Sequence, residues 1–217
     1  MKLLIISAGV HPVPPINGGA VENLIDFYLK DNRNNNIEVL SIYDDKLASY
    51  EYKYDNCKFH FIKKNVIFDF FTLYSEKILR KLFGIYRGTP YIRKVCSYIK
   101  EKEGNYDIIV VENMAQYGPM IKKVSNSKLV LHLHNDYLNI DSFKNKENYS
   151  SFDKILCVSD FISDRVKAIG TMNDNKVFTL YNGIDLCRFS NNSKSNEDIF
   201  RKYKIKKNKF NIIYSGR

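Results

Sequence analysis

Residues 1–24 read MKLLIISAGVHPVPPINGGAVENL and contain the pattern that decides the fold. The uninterrupted apolar run over residues 2–8 is typical of a strand that is buried on both faces of a parallel sheet. From Val21 the apolar side chains follow helical spacing, and Gly18-Gly19 stands just before that helix. The stretch therefore predicts a first β-strand, a long loop and a first α-helix.

The same alternation of strand and helix signals continues along the chain. The segments 70–100 predict two helices separated at Gly88-Thr89-Pro90, Met120–Val124 predicts a short one, and Ser159-Asp160 begins another. Strands that alternate with helices imply right-handed crossovers and a Rossmann-like, doubly wound, mostly parallel α/β sheet, which binds ligands at the carboxyl ends of its strands. Further strands are predicted at residues 37–43, 58–62, 107–111, 128–133, 154–158, 176–180 and 209–214.

The composition limits the classes of partner. The chain has 217 residues, and its 34 Lys and Arg against 24 Asp and Glu give a formal net charge of +10. Such a balance favours anionic partners, namely nucleic acid, anionic lipid headgroups or phosphorylated substrates. No recognised binding motif accompanies the charge, so we expect no nucleic-acid partner.

The N-terminal run and the cysteines indicate a cytoplasmic chain. The run is too short for a secretory signal, and no stretch approaches the ~20 apolar residues of a spanning helix. The four cysteines are far apart in the sequence, without metal-ligand or redox spacing, so we expect reduced, packed thiols. We therefore expect a cytoplasmic protein, either soluble or in peripheral contact with the inner face of an anionic plasma membrane.

The glycine pair is the first candidate binding element. Glycine lets the backbone approach a ligand closely, and a helix N-terminus offers unpaired N–H groups and a partial positive charge. Gly18 and Gly19 therefore suit a phosphate or carboxylate ligand, with a flexible turn as the alternative interpretation. The loop is too long for the GxGxxG dinucleotide fingerprint.

Polar residues at strand ends are the second candidate element. Glu112 and Asn113 follow one predicted strand, and His134 ends the next, where it can serve as an acid, a base or a hydrogen-bond donor. These side chains are predicted to line the same crevice, although ordinary loop polarity also explains Glu112 and Asn113. His132 shares a strand face with His134 and is interpreted as a core histidine.

A metal site is not expected. Zinc binding needs a third ligand beside the two neighbouring histidines. His11 and His60 are the only other histidines in the chain, and neither has a spacing that indicates a shared site.

The segment Phe59–Arg93 interleaves aromatic with basic residues. Two interpretations remain open at this point. A basic, aromatic-rich amphipathic element can lie in a membrane interface. It can equally cover the sheet with its apolar side and leave its charges in water.

In order along the chain, these motifs resemble the N-terminal half of glycosyltransferase family 4. The resemblance rests on KLLIIS with its proline-rich loop and Gly18-Gly19, on the strand that ends in His134-Asn135-Asp136, and on KILCVSDFISD at 154–164. The strongest match is VFTLYNGIDLCRF at 177–189, where the family has Asn-Gly followed by an aliphatic residue and Asp. The final IIYSGR resembles the strand that opens the family's second domain.

The resemblance implies the first half of a GT-B fold with the second domain largely absent. Residues 1–190 would form a Rossmann-like acceptor-binding domain, and 191–217 a linker and the first strand of a truncated nucleotide-sugar-binding domain. The implied function is retaining transfer of a sugar from a nucleotide-sugar donor to a glycan or lipid-linked acceptor in cell-surface polysaccharide synthesis. The family usually needs no metal, and its donor is a substrate, so no cofactor is expected. Because sugar transfer requires neutralised leaving phosphates, the 217-residue chain is expected to be inactive or nearly so by itself.

The same resemblance assigns roles to individual residues. His134 matches the strand-end histidine near the transferred sugar, where it would orient the reacting hydroxyls. Arg217 matches the arginine that stabilises the leaving diphosphate. The other residues predicted to contact donor or acceptor are Gly18, Gly19, Glu112, Asn113, Asn135, Asp136, Asn182 and Gly183.

Two alternatives belong to other classes of function. The chain could be a non-catalytic binding half that docks to a separate catalytic subunit. An unrelated nucleotide-binding regulator is disfavoured, because the chain lacks both the fingerprint loop and an acidic ribose partner at the usual spacing.

Overall fold

The computed structural model describes residues 1–102, 106–170, 175–186, 197–206, 209–210 and 212. Residues Met1–Asn182 form one compact unit and Gly183–Arg217 a second. The predicted domain boundary after residue 190 lies in a segment outside the described residues and stays a prediction. The strand predicted at 209–214 also falls largely outside them.

The first unit is built on a seven-stranded parallel sheet with the order β3-β2-β1-β4-β5-β6-β7. All seven predicted strands of this unit are present, and the predicted fold class is confirmed. The short apolar runs form strands because both faces of a parallel sheet are covered by helices. The strands are β1 Lys2–Ile6, β2 Asn36–Ile42, β3 Cys57–Ile62, β4 Ile108–Glu112, β5 Lys128–Leu133, β6 Lys154–Cys157 and β7 Val177–Thr179.

Two helices begin at the predicted capping residues, whereas the helices predicted from residues 70 and 120 begin earlier, at Val66 and Gly118. The Thr89 hydroxyl accepts from Ile92 N, and the Ser159 hydroxyl accepts from Ile162 N, so each caps a helix start. The short helix α5 was not predicted, because NKENYS has no apolar periodicity. The helices are α1 Ala20–Asp31, α2 Val66–Phe83, α3 Pro90–Glu101, α4 Gly118–Lys122, α5 Asn145–Ser150, α6 Asp160–Lys167 and, in the second unit, α7 Glu197–Lys202.

The core lies on both faces of the sheet. On one face, Ile5 and Val39 pack with Ile25 and Leu29 of α1. On the other face, a larger cluster joins the central strands to α3 and α6. Because helices cover both faces of the sheet, a ligand can reach it at the ends of the strands.

The strand order reverses between β1 and β4. After β1 the chain adds β2 and β3 on one side, and it then returns to place β4 on the other side of β1. In open α/β sheets the crevice at such a switch point, outside the carboxyl ends of the strands, is where ligands bind. The loop after β1 and the residues after β4 border this crevice.

Among the described residues, no helix combines the length and the apolar character that crossing a membrane would require.

Candidate functional site

The loop between β1 and α1 ends on two glycines with positive φ. Gly18 has φ +74° and Gly19, the N-cap of α1, has φ +115°. A Cβ at Gly19 would overlap the carboxylate of Glu22, the third residue of the helix. Gly19 is therefore required both by its backbone angle and by the side chain that folds back over it.

Glu22 places a carboxyl group at the N-terminus of α1, where an anionic ligand was predicted. The residue is buried, and this burial raises the pKa of its carboxyl above the ordinary value. The pKa of this carboxyl is lowered in turn by a hydrogen bond from its own backbone N–H and by electrostatic interaction with His11 and His134. Glu22 thus lies within electrostatic reach of His134, which follows β5.

The centre of the site is a buried cluster of Glu112, His132 and His134. His134 Nε2 lies 2.8 Å from Glu112 Oε2, and His132 Nδ1 lies 3.2 Å from the same oxygen. Glu112 and His132 are register partners across β4 and β5, and His134 is the first residue after β5. Adjacent parallel strands thus bring the three side chains together, as the strand-end rule predicts for Glu112 and His134.

The hydrogen bonds of this cluster indicate which ring nitrogens carry a hydrogen. Burial raises the pKa of the Glu112 carboxyl, but hydrogen bonds from His132 and His134 outweigh it and hold that pKa below its usual range. Because an ionised carboxylate only accepts hydrogen bonds, each imidazole nitrogen that faces it carries a hydrogen. His134 therefore keeps Nδ1 for another partner, and none of the described residues bonds to that atom.

His132 differs from the satisfied core histidine that the sequence analysis expected. Its Nδ1 bonds to Glu112, but its buried Nε2 has no hydrogen-bond partner among the described residues. A buried polar atom without a partner is costly, and a ligand or an ordered water can supply one. His132 therefore belongs to the candidate site as well as to the core.

Asn113 supports His134 from the neighbouring strand end. Its φ is +66°, in the left-handed region that asparagine tolerates better than most residues. In this conformation its side-chain Oδ1 accepts from His134 N at 2.9 Å, and its own N donates to His132 O at 2.8 Å. Asn113 thus fixes the backbone that carries both histidines.

Asn135 and Asp136 have different environments. Asn135 Oδ1 is buried and has no hydrogen-bond partner among the described residues, so it is available to a ligand. The Asp136 carboxylate is engaged, because Arg165 Nε lies 2.7 Å from its Oδ2 and Asn139 Nδ2 donates to its Oδ1. The contacts of Asp136 indicate that it ties the loop after β5 to α6.

The remaining predicted site residues lie away from this cluster or outside the description. Asn182 is exposed beyond β7, at the same edge of the sheet, with β6 between it and β5. Gly183 belongs to the second unit. Arg217 lies outside the described residues. The roles predicted for these three residues stay predictions.

A cavity of about 330 Å³ opens beside Asn113, the residue that follows Glu112. Glu112, His132 and His134 themselves do not line it. It contains Asn113 together with Arg80 of α2 and two aromatic residues, Tyr137 and Phe143. The Arg80 guanidinium lies 4.6 Å from the centre of the Phe143 ring. The cavity therefore combines a cation, aromatic surface and amide groups, a set that suits a ligand with both sugar and anionic parts.

The cluster also has the composition of a metal site. One ligand atom from each of Glu112, His132 and His134 lies within 4.8 Å of the others, and zinc accepts these residue types. The two short N–H···O contacts already account for the arrangement as a hydrogen-bonded network. The expectation that no metal is needed stays a prediction.

Sequence reasoning missed two members of the site. Glu22 had a detectable signal, because an acidic residue three positions after an N-cap commonly folds back on the helix start. The signal for His132 is weaker. It is the position of His132 opposite Glu112, which appears only when β4 and β5 are paired in register.

Comparisons with known proteins identify a family for the chain. Residues 68–188 match the sequence profile of Glycosyltransferase Family 4. Spore coat protein SA of Bacillus subtilis (strain 168) is 24% identical over 191 residues, which is 86% of this chain and 44% of that protein.

Two solved structures share the fold. A glycosyltransferase from Rickettsia africae ESF-5 aligns with a TM-score of 0.55 at 17% identity, covering 95% of this chain and 50% of that one. The apo form of the lipopolysaccharide outer core galactosyltransferase WaaB aligns with a TM-score of 0.50 at 16% identity, covering 86% of this chain and 47% of that one. The chain spans about half the length of these relatives.

Proposed function

The chain belongs to glycosyltransferase family 4, and from this we propose that it is the acceptor side of a retaining glycosyltransferase. The reaction moves a sugar from a nucleotide-sugar donor to a glycan or lipid-linked acceptor. Two relatives support a cell-surface product by their names, which refer to a spore coat and to outer-core lipopolysaccharide. The galactosyltransferase name also supports a sugar-transfer reaction.

The observation that carries the proposal is the buried Glu112–His132–His134 cluster at the switch point of the sheet. Burying an ionised carboxylate is costly, and a buried group with a shifted pKa in a crevice is a candidate for a functional site. Asn113, which accepts from His134 N, also lines a cavity with a cation and aromatic walls. A site with these features is a better candidate for substrate binding than for packing alone.

Each member of the cluster has a distinct task in this proposal. Glu112 holds His134 through Nε2–H and thereby directs Nδ1 towards a substrate hydroxyl. Asn113 fixes the backbone at His134, so the imidazole does not need to reorganise when substrate binds. Arg80 supplies positive charge for an anionic acceptor group. No metal and no cofactor are part of the proposal.

The test is calorimetric titration of the chain with a short-chain prenyl-diphosphate sugar. We expect saturable binding, weakened several-fold in His134→Ala, because a hydrogen bond between a neutral imidazole and a substrate hydroxyl is worth about 0.5–1.5 kcal/mol. His60→Ala is the matched control, since His60 Nε2 also lies 3.0 Å from a glutamate, Glu38, but on the edge strand β3. An unchanged affinity in His134→Ala, or equal losses in both variants, would contradict the assignment.

A further inference from the structure

Helix α2 is oriented with its apolar side towards solvent. The apolar residues at spacings of three and four form one stripe along the helix. Their exposed fractions range from 40% to 72%. We call this stripe the outer face of α2, and it consists of Ile67, Phe70, Phe71, Tyr74, Ile78 and Leu82.

Polar residues hold the opposite side of α2 against the protein. Thr72 and Glu76 are buried. Glu76 Oε1 lies 2.8 Å from Arg93 Nη2 of α3, and Glu76 Oε2 accepts from Arg87 N. Because these polar contacts anchor the helix, the outer face is not needed for packing within the described residues. This excludes the interpretation that the apolar side of α2 covers the sheet.

Unpaired cations border the outer face. Lys77 and Lys81 lie along its edge, and neither forms an ion pair with any described residue. The acidic residues of the helix are engaged elsewhere, since Glu76 faces inward and Asp69 accepts from Asn65 N. The exposed side of α2 is therefore apolar in the centre and positive at the border.

We propose that the outer face of α2 docks in the plane of an anionic lipid bilayer. Aromatic and aliphatic side chains enter the boundary between headgroups and acyl chains, and lysines at the border extend to the phosphates. The charge favours lipid over a protein partner, because every unpaired ionic group at the border has the sign that anionic headgroups attract. The inference does not depend on the proposed sugar transfer, and it is tested without it.

The docked helix would lie next to the candidate site. Lys77, Arg80 and Lys81 line a second cavity of about 560 Å³ beside α2. That cavity shares Arg80, Gln116 and Phe143 with the cavity beside Asn113. A membrane-bound anionic acceptor would therefore meet cations before it reached the site.

The test is flotation of the full 217-residue chain with vesicles of phosphatidylcholine alone or mixed with phosphatidylglycerol. We expect binding to the mixed vesicles, with a loss as salt is raised, since exposed charges are screened. Phe70→Ser with Phe71→Ser should weaken binding about tenfold or more, because each phenylalanine loses apolar burial in the interface. Lys77→Glu with Lys81→Glu should weaken it about tenfold or more as well.

Two control variants test whether any exposed phenylalanine or any exposed lysine would have the same effect on vesicle binding. Phe161→Ser removes a phenylalanine of α6 that is 66% exposed, like Phe71, and Lys58→Glu reverses an exposed lysine at the opposite, amino end of β3. Both should bind vesicles like the unmodified chain, and circular dichroism should show all variants folded. Absent binding, equal binding to neutral vesicles, or equal losses in the controls would overturn the proposal. Self-association lost in Phe70→Ser with Phe71→Ser, without lipid binding, would overturn it in favour of a second copy.

Discussion

Removing the carboxylate of Glu112 should destabilise the first unit strongly. The side chain is buried, and one of its oxygens accepts from both His134 Nε2 and His132 Nδ1. Glu112→Ala leaves two buried N–H groups without an acceptor, and each costs about 1–3 kcal/mol, which gives about 2–6 kcal/mol in total. Glu112→Gln keeps an oxygen but loses the charge, so we expect a smaller cost of about 1–3 kcal/mol.

The assay is urea unfolding followed by far-ultraviolet circular dichroism, with the midpoint and slope compared among variants. Glu147→Ala is the control, because among the described residues the Glu147 side chain forms only an exposed pair with Lys144, and its loss should cost at most about 1 kcal/mol. The double variant Glu112→Ala with His132→Ala should cost less than the sum of the two single changes, since the histidine no longer lacks an acceptor. A loss below about 1 kcal/mol in Glu112→Ala, or strict additivity, would refute the reasoning.

Three further predictions follow from individual contacts. Gly19→Ala should lower the melting temperature more than Gly84→Ala, because both glycines have positive φ but only Gly19 has a side chain, that of Glu22, in the space of the new Cβ. Glu38 is partly buried, which raises its pKa, but hydrogen bonds from two tyrosines, with Lys2 and His60, lower it to about 2. The stabilisation that Glu38 provides is therefore present above its ordinary pKa of 4.5 and is lost as pH falls towards 2, and acid unfolding curves should show a flatter dependence in Glu38→Gln. Elemental analysis of the purified chain should find no stoichiometric metal, and a chelator should leave the melting temperature unchanged; stoichiometric zinc would contradict the hydrogen-bonded interpretation of the cluster.

The sheet could be predicted from the sequence because its signals are local. Each strand is a short apolar run, and two of the predicted helices start at a capping or breaking residue, Ser159 or Pro90. The orientation of α2 could not be predicted in the same way. Helical spacing reveals an apolar stripe on α2. It does not show that Glu76, on the opposite side of the helix, pairs with Arg93 of α3, so that the apolar stripe faces solvent.

The candidate site was predictable only in part. Residues that follow adjacent strands must lie at one edge, which brings Glu112 close to His134. The position of Glu22, three residues after the N-cap, indicates that it folds back on the helix start. Its proximity to His134 depends on how the loop after β1 folds, and the sequence pattern does not determine a loop of that length. His132 was assigned to the core by its position inside a strand, because its shared hydrogen-bond acceptor becomes visible only when β4 and β5 are in register.

The central claim is that ligand binds at the switch point of the sheet, against the cluster of Glu112, His132 and His134. Its most direct test is nuclear magnetic resonance of the histidine side chains during titration of the chain with a short-chain prenyl-diphosphate sugar. The account predicts saturable shifts of the His134 and His132 signals, with the His60 signal unchanged. Saturable binding that moves the His60 signal and leaves His134 and His132 in place would contradict it.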